Sequence, residues 1–220
     1  MQFDPSLPLT WISNRDFDFA EGSFGHHEGE RWGSERVVGF VHTRRILFVK
    51  PTYFIVLDTV TAPAGDTAEH TCEAVFHLDA RDARVDAVTS TIRTADPGRA
   101  GITILPLSTS DLSVRMVKGQ TDPEMQGWIS DDAFGQRAVP TAMITRKTSG
   151  TVHLVYVFAP AASRQSCPVT GLSAEPSDDQ SAVSAMIRMK DGGSDRLALT
   201  NDGIVRLRRS NGRHFSSAKQ

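Results

Sequence analysis

A period of two runs through this sequence and leaves little room for helix. Short runs that alternate apolar and polar residues, or are apolar throughout, occur at 37–49, 53–60, 71–78, 84–93, 102–107, 112–117, 140–146, 151–159, 182–190, 196–200 and 203–208. Each is bounded by Gly, Pro, Asp, Asn or Ser, and Val, Ile, Thr and Phe are frequent within them. "NDG" at 201–203, between "RLALT" and "IVRLRR", and "DGG" at 191–193 read as tight hairpin turns. No stretch of about 12 residues keeps a 3.6-residue apolar period with capping residues at its ends. The pattern predicts an all-β protein, a large antiparallel β-sandwich of about eleven or more strands. Its 220 residues are enough to bury a sizeable core. They read as a single domain over 1–220, with 1–20 a lead-in, 160–181 a long connection and 210–220 a frayed tail.

Several function classes are excluded early. A formal net charge of −2 gives no global field to attract nucleic acid. No apolar run reaches the ~18 residues of a membrane span. "MQFDPSLPLTWISNRDF" has neither a basic nor an apolar leader segment, so no signal peptide is expected in this sequence. Cys72 and Cys167 are too few for a disulfide framework; both read as idle thiols, with a single long-range bridge left open. No CxxC, HExxH or phosphate-cradling glycine loop occurs.

Chemistry concentrates in one apolar hairpin, "VHTRRILFVKPTYFIVLDTV" (41–60). Pro51 presets a reversal at "KPT". With the turn centred on Lys50, His42 faces Asp58, and opposed side chains in an antiparallel pair sit ~5 Å apart at Cβ. If "TCEAVFHLD" returns beside the outgoing strand, His77 joins them. Two imidazoles and a carboxylate suit zinc, with a fourth position open, or another first-row ion. A His–Asp pair in a sheet also serves as a plain structural hydrogen bond, and spacing alone does not choose between these readings.

Other candidates are weaker. Arg44 shares the strand face of His42 and is built for bidentate carboxylate recognition, though a solvated strand arginine explains it as well. His26, His27 and Glu28 lie in the Gly-rich loop "FGHHEGER". Trp32 and Trp11 offer flat faces for sugar stacking or domain contact, whereas Trp128 reads as a packed residue. The tail "VRLRRSNGRHFSSAKQ" is basic; a polyanionic glycan or nucleic acid could contact it, and an edge strand guarded by charge, followed by a frayed end, is the plainer reading.

The order of these segments resembles the heparinase II/III-like polysaccharide lyases. The hairpin followed by "EHTCEAVFHLD" is similar to their β-sandwich part, and "DFDFAEGSF" to the segment upstream. "GQTDPEMQGWIS", Pro140 and "VHLVYVFAP" are similar to a later landmark. The resemblance implies a C-terminal sandwich that works with an N-terminal (α/α) toroid on acidic polysaccharides. There a base removes the C5 proton of a uronic acid, the carboxylate is neutralised, and an acid protonates the departing oxygen, with a Tyr and a His carrying protons. It implies a structural divalent metal, zinc foremost, on the residues matching His42, Asp58 and His77. Arg44, His26, His27 and Trp32 become the candidate substrate contacts.

The departures from that family are equally informative. This sequence holds no toroid helices. Tyr53 and Tyr156 read as core residues, not as the acid. Phe40 stands where some members carry a catalytic histidine. The expectation is one wall of a substrate cleft, not catalytically competent alone, in a parent that acts in the periplasm or outside the cell. A stand-alone carbohydrate-binding module for acidic glycans is the alternative. A cupin-type metalloenzyme is weaker, because no clustered H-x-H with a nearby Glu occurs.

Overall fold

A computed structural model describes residues 9–25, 39–107, 111–131, 135–163, 165–177 and 180–218. Among them are eighteen strands and no helix, so no helix is long and apolar enough to cross a membrane. The expected all-β, antiparallel sandwich of more than eleven strands holds, and its strands form three layers and a ribbon.

The central layer has eight strands in the order β1 (Leu9–Ser13), β2 (Phe17–Gly25), β3 (Val41–Val49), β4 (Tyr53–Thr61), β13 (Val152–Ala161), β8 (Gly101–Pro106), β7 (Ile92–Thr94) and β6 (Ala83–Val85). The strands β4, "YFIVLDTVT", and β13, "VHLVYVFAPA", are apolar nearly end to end, as a strand covered on both faces requires. One face packs on a five-stranded meander of β14 (Val169–Ala174), β15 (Ser181–Met189), β16 (Ser194–Thr200), β17 (Val205–Arg208) and β18 (His214–Ser216). Phe19, Leu47, Ile55, Val157, Ile187 and Leu207 fill the space between these two layers. The other face packs on three strands, in the order β5 (Glu69–His77), β12 (Thr141–Ser149) and β9 (Leu112–Val117). Ile104, Ala142, Ile144, Leu154 and Tyr156 form that second core, with Phe76 edge-on to Tyr156 at 5.2 Å. Each fully buried Leu or Ile contributes roughly 1.5–3 kcal/mol, so both interfaces are strongly favoured. A two-stranded ribbon, β10 (Trp128–Asp131) and β11 (Gly135–Ala138), completes the fold.

Several boundaries differ from the sequence reading. The lead-in carries β1 and the first four residues of β2, and the long connection carries β14. The run at 84–93 splits into β6 and β7 because Asp86 accepts the amides of Val88 and Thr89 and closes a turn. The described part of the tail, to residue 218, carries β18 and packs on the core. In β18, Phe215 is buried and its ring meets Phe17 at 5.6 Å and Phe19 at 5.4 Å. An ion pair from Arg213 to Asp16 at 2.5 Å closes the same junction.

Asp195 ties the layers together. It is fully buried, accepts Tyr53 Oη–H at 2.6 Å, Arg209 Nε–H at 3.1 Å and the Ser210 amide at 3.0 Å. A carboxylate there is tolerable because a guanidinium and two further donors replace its water shell.

Candidate functional site on the uncovered face

The hairpin turns one position later than the sequence suggests. Lys50, Pro51 and Thr52 form the loop, Val49 pairs with Tyr53, and Arg44, not His42, lies opposite Asp58. The register moved by two in its pairing sum, so every side chain kept its face. His42 now pairs with Val60 and reaches Asp58 diagonally: its Nε2 is 2.9 Å from Asp58 Oδ1. Arg44 grips the same carboxylate with two parallel bonds, Nε–H to Oδ1 at 2.7 Å and Nη2–H to Oδ2 at 2.8 Å.

The pairing builds two neighbouring rows on one face of the central sheet. One runs Leu9, Gly22, Arg44, Asp58, Leu154 across β1, β2, β3, β4 and β13. The next runs Trp11, Ala20, Ile46, Val56, Tyr156 across the same strands. Among the described residues, the three-stranded layer covers the Tyr156 end of these rows and leaves the β1–β3 end open. Trp11 is 72% exposed and Leu9 75% exposed, and Ile46 reaches solvent too. Gly22 has nothing within 4 Å of where a Cβ would stand. It makes a notch in the sheet surface between Leu9 and Arg44.

Asp58 is 2% exposed, whereas the side chains of His42 and Arg44 are each more than two-fifths exposed. Burial alone would raise the Asp58 carboxyl; the hydrogen bonds from Arg44 and then His42 outweigh it and hold the group below its usual range. An ionised Asp58 only accepts, so His42 Nε2 carries the proton of that bond and the ring presents its Nδ1 edge away from the carboxylate. Two of the five Arg44 donors are engaged by Asp58, and the rest of the fork remains for an anion. Tyr156 lies beneath. Its hydroxyl is buried with no hydrogen-bond partner among the described residues, and burial, then the Asp58 charge, push the phenol above its ordinary value.

His77 is not part of this arrangement. β5 pairs with β12 rather than β4, in a different layer, and His77 stands opposite Thr141. Ala74 and Phe76 turn inward, so the alternation turns His77 outward, where it is exposed and lines a cleft of about 420 Å³ with Met125, Trp128 and Gln136. The histidine that β5 brings toward the hairpin end is His70. Its ring meets Phe40 edge-on at 4.9 Å and its Nε2 bonds Asp66 at 2.8 Å. An ion on His42, Asp58 and His77 does not fit, because both Asp58 oxygens already hold a guanidinium. No group of three or more His, Cys, Asp or Glu suited to a metal occurs among the described residues. His26, His27 and Trp32 lie outside the described residues. Both cysteines are free, so no bridge links them. Trp128 is half-buried and donates its indole N–H to Gln120 O at 2.9 Å. Gly22 and Tyr156 were not legible as site residues; a glycine inside an otherwise regular strand was the one available signal.

Comparison with known proteins bears on the fold. The sequence matches no family model and no curated protein sequence. Solved structures do match. Heparan sulfate lyase HepC from Pedobacter heparinus superposes with a TM-score of 0.67 at 12% identity, over 88% of this chain and 28% of that one. A heparinase III superposes at 0.65 with 13% identity, over 88% of this chain and 27% of that one. A further heparinase III gives 0.62 at 15% identity. This chain therefore shares its fold with a part of these enzymes and spans under a third of their length.

Proposed function

We propose that this chain is the β-sandwich part of a polysaccharide lyase that cleaves uronic-acid polymers by β-elimination, forming one wall of the substrate cleft. One observation carries the reading: His42 and Arg44, both reaching solvent, are fixed by a buried carboxylate on a stretch of the central sheet that no layer covers among the described residues. In the reaction a base takes the C5 proton, the C4–O bond breaks as a C4–C5 double bond forms, and the departing oxygen takes a proton. The uronate carboxylate must be neutralised for C5 to give up its proton. The free donors of Arg44 suit that role. His42 Nδ1 lies open as a proton acceptor or as a hydrogen-bond partner for a sugar hydroxyl. Trp11 and Ile46 supply the apolar border, against which a sugar ring or a helical domain would rest. The fold likeness to heparan sulfate lyases, and the fraction of their length it covers, support a role beside a larger helical part. Phe40 and the buried Tyr156 give no exposed acid, so the chain alone is expected to show no turnover.

The test is a titration with unsaturated uronate oligosaccharides followed by NMR. Resonances of the Gly22 amide and the Arg44 Nε–H should move, and Arg44→Gln should weaken binding about tenfold, as loss of a charge-assisted bidentate contact does. Shifts confined to other surfaces, with Arg44→Gln binding as the parent chain, would remove the reading.

A further inference from the structure

A second charged surface lies on the far side of the molecule. In the five-stranded layer Leu197, Leu199, Val205, Leu207 and Phe215 point into the core. The alternation sends Arg188, Arg196, Arg206, Arg208 and His214 outward, and all five are exposed. Arg206 and Arg208 belong to β17, which is flanked by β16 and β18. They do not guard an edge, so edge protection does not account for them. Arg196 stands directly opposite Arg208 across the β16–β17 pair, and Arg208 opposite His214 across β17–β18. Like charges facing each other in an antiparallel pair destabilise it. Two carboxylates answer these charges among the described residues. Glu175 lies 3.5 Å from Arg196, and Asp202 feels Arg206. Between the arginines sit Ser184, Ala198 and Ser216, small residues that floor an open groove of about 640 Å³.

We infer that this groove binds a linear sulfated or carboxylated polysaccharide, at a site separate from the Arg44 face. The polymer class rests on the function proposed above; the site does not. Arginine forks match sulfate and carboxylate geometry, and serine hydroxyls serve sugar hydroxyls. Single-stranded nucleic acid fits less well, since no Phe, Tyr or Trp faces outward from these strands to stack a base. From β15 to β18 the sheet spans about 14 Å, enough for a short oligosaccharide. Such a site would hold the polymer on the protein while its other segments reach the cleft, which raises the local concentration of substrate.

The experiment is calorimetric titration of the chain with a sulfated uronate octasaccharide at two salt concentrations. The variants are Arg206→Ser/Arg208→Ser and Arg44→Gln. The double variant should weaken binding about tenfold or more and lower the salt dependence by about two charges, while melting no lower than the parent. Arg44→Gln should leave this component within twofold. Unchanged binding in the double variant overturns the inference, as does equal or tighter binding of a single-stranded oligonucleotide of the same charge. Loss of all binding in Arg44→Gln alone overturns it while leaving the cleft reading intact. Loss in the double variant alone sustains the groove and removes the cleft.

Discussion

Among the described residues two aspartates are buried in the sheets, and they are buried for different ends. Asp195 is enclosed with its partners: the Arg209 side chain is 13% exposed and the Tyr53 hydroxyl is wholly interior. Asp58 is as deeply set, but both groups that bind it look outward. The first network holds two layers together and has nothing left to offer. The second uses the same chemistry to aim a guanidinium and an imidazole at an open face. Burial of a carboxylate therefore says little about its role; the exposure of its donors says more.

The contrast can be broken at its strongest point first. Asp195→Ala should destabilise the fold by about 3–5 kcal/mol, because it strands a buried guanidinium, and a denaturant melt would show it. Asp58→Asn should cost less, about 1–3 kcal/mol, because its freed partners can recover water. Equal losses at the two sites would erase the distinction. Asp58 also sets a pH signature. Its folded carboxyl lies below the ordinary value, so its stabilisation is present above about pH 4 and is lost as the pH falls through the depressed value. Melts of the parent chain and of Asp58→Asn should therefore converge in acid, and parallel curves would count against the ionised pair.

Smaller effects sharpen the picture. Gly22→Ala should raise stability by about 0.5–1 kcal/mol, since glycine is unfavourable in a strand and the space is empty. Gly22→Phe should fold yet block oligosaccharide at the Arg44 face. The smallest effect is expected from metal. Excess zinc, or a chelator, should leave the melting temperature unmoved, because Arg44 already neutralises Asp58. An ion bound at 100 times its Kd would add about 2.7 kcal/mol, and a rise of that size would place zinc where the guanidinium now sits.

The strand pattern was legible because period two survives even where a strand is half covered, as in β17 with its "VRLR" alternation. What hid from the sequence was which strand lies beside which. Apolar β5 could join either face of β4, and only packing of Phe76 onto Tyr156 and Phe158 put it in another layer, carrying His77 away. The His42–Asp58 contact survived a wrong register because the error was even. The strands β1, β14 and β18 escaped notice because they are short and half-exposed, and their apolar signal is at most three residues.

Phe215 lies five residues from the end of the sequence, yet its ring closes the pocket that Phe17 and Phe19 open near the beginning. During synthesis the rings of Phe17 and Phe19 stay unshielded on this side until Phe215 has been made. Until then the two rings are exposed to misassembly, and a break before residue 213 would make that condition permanent.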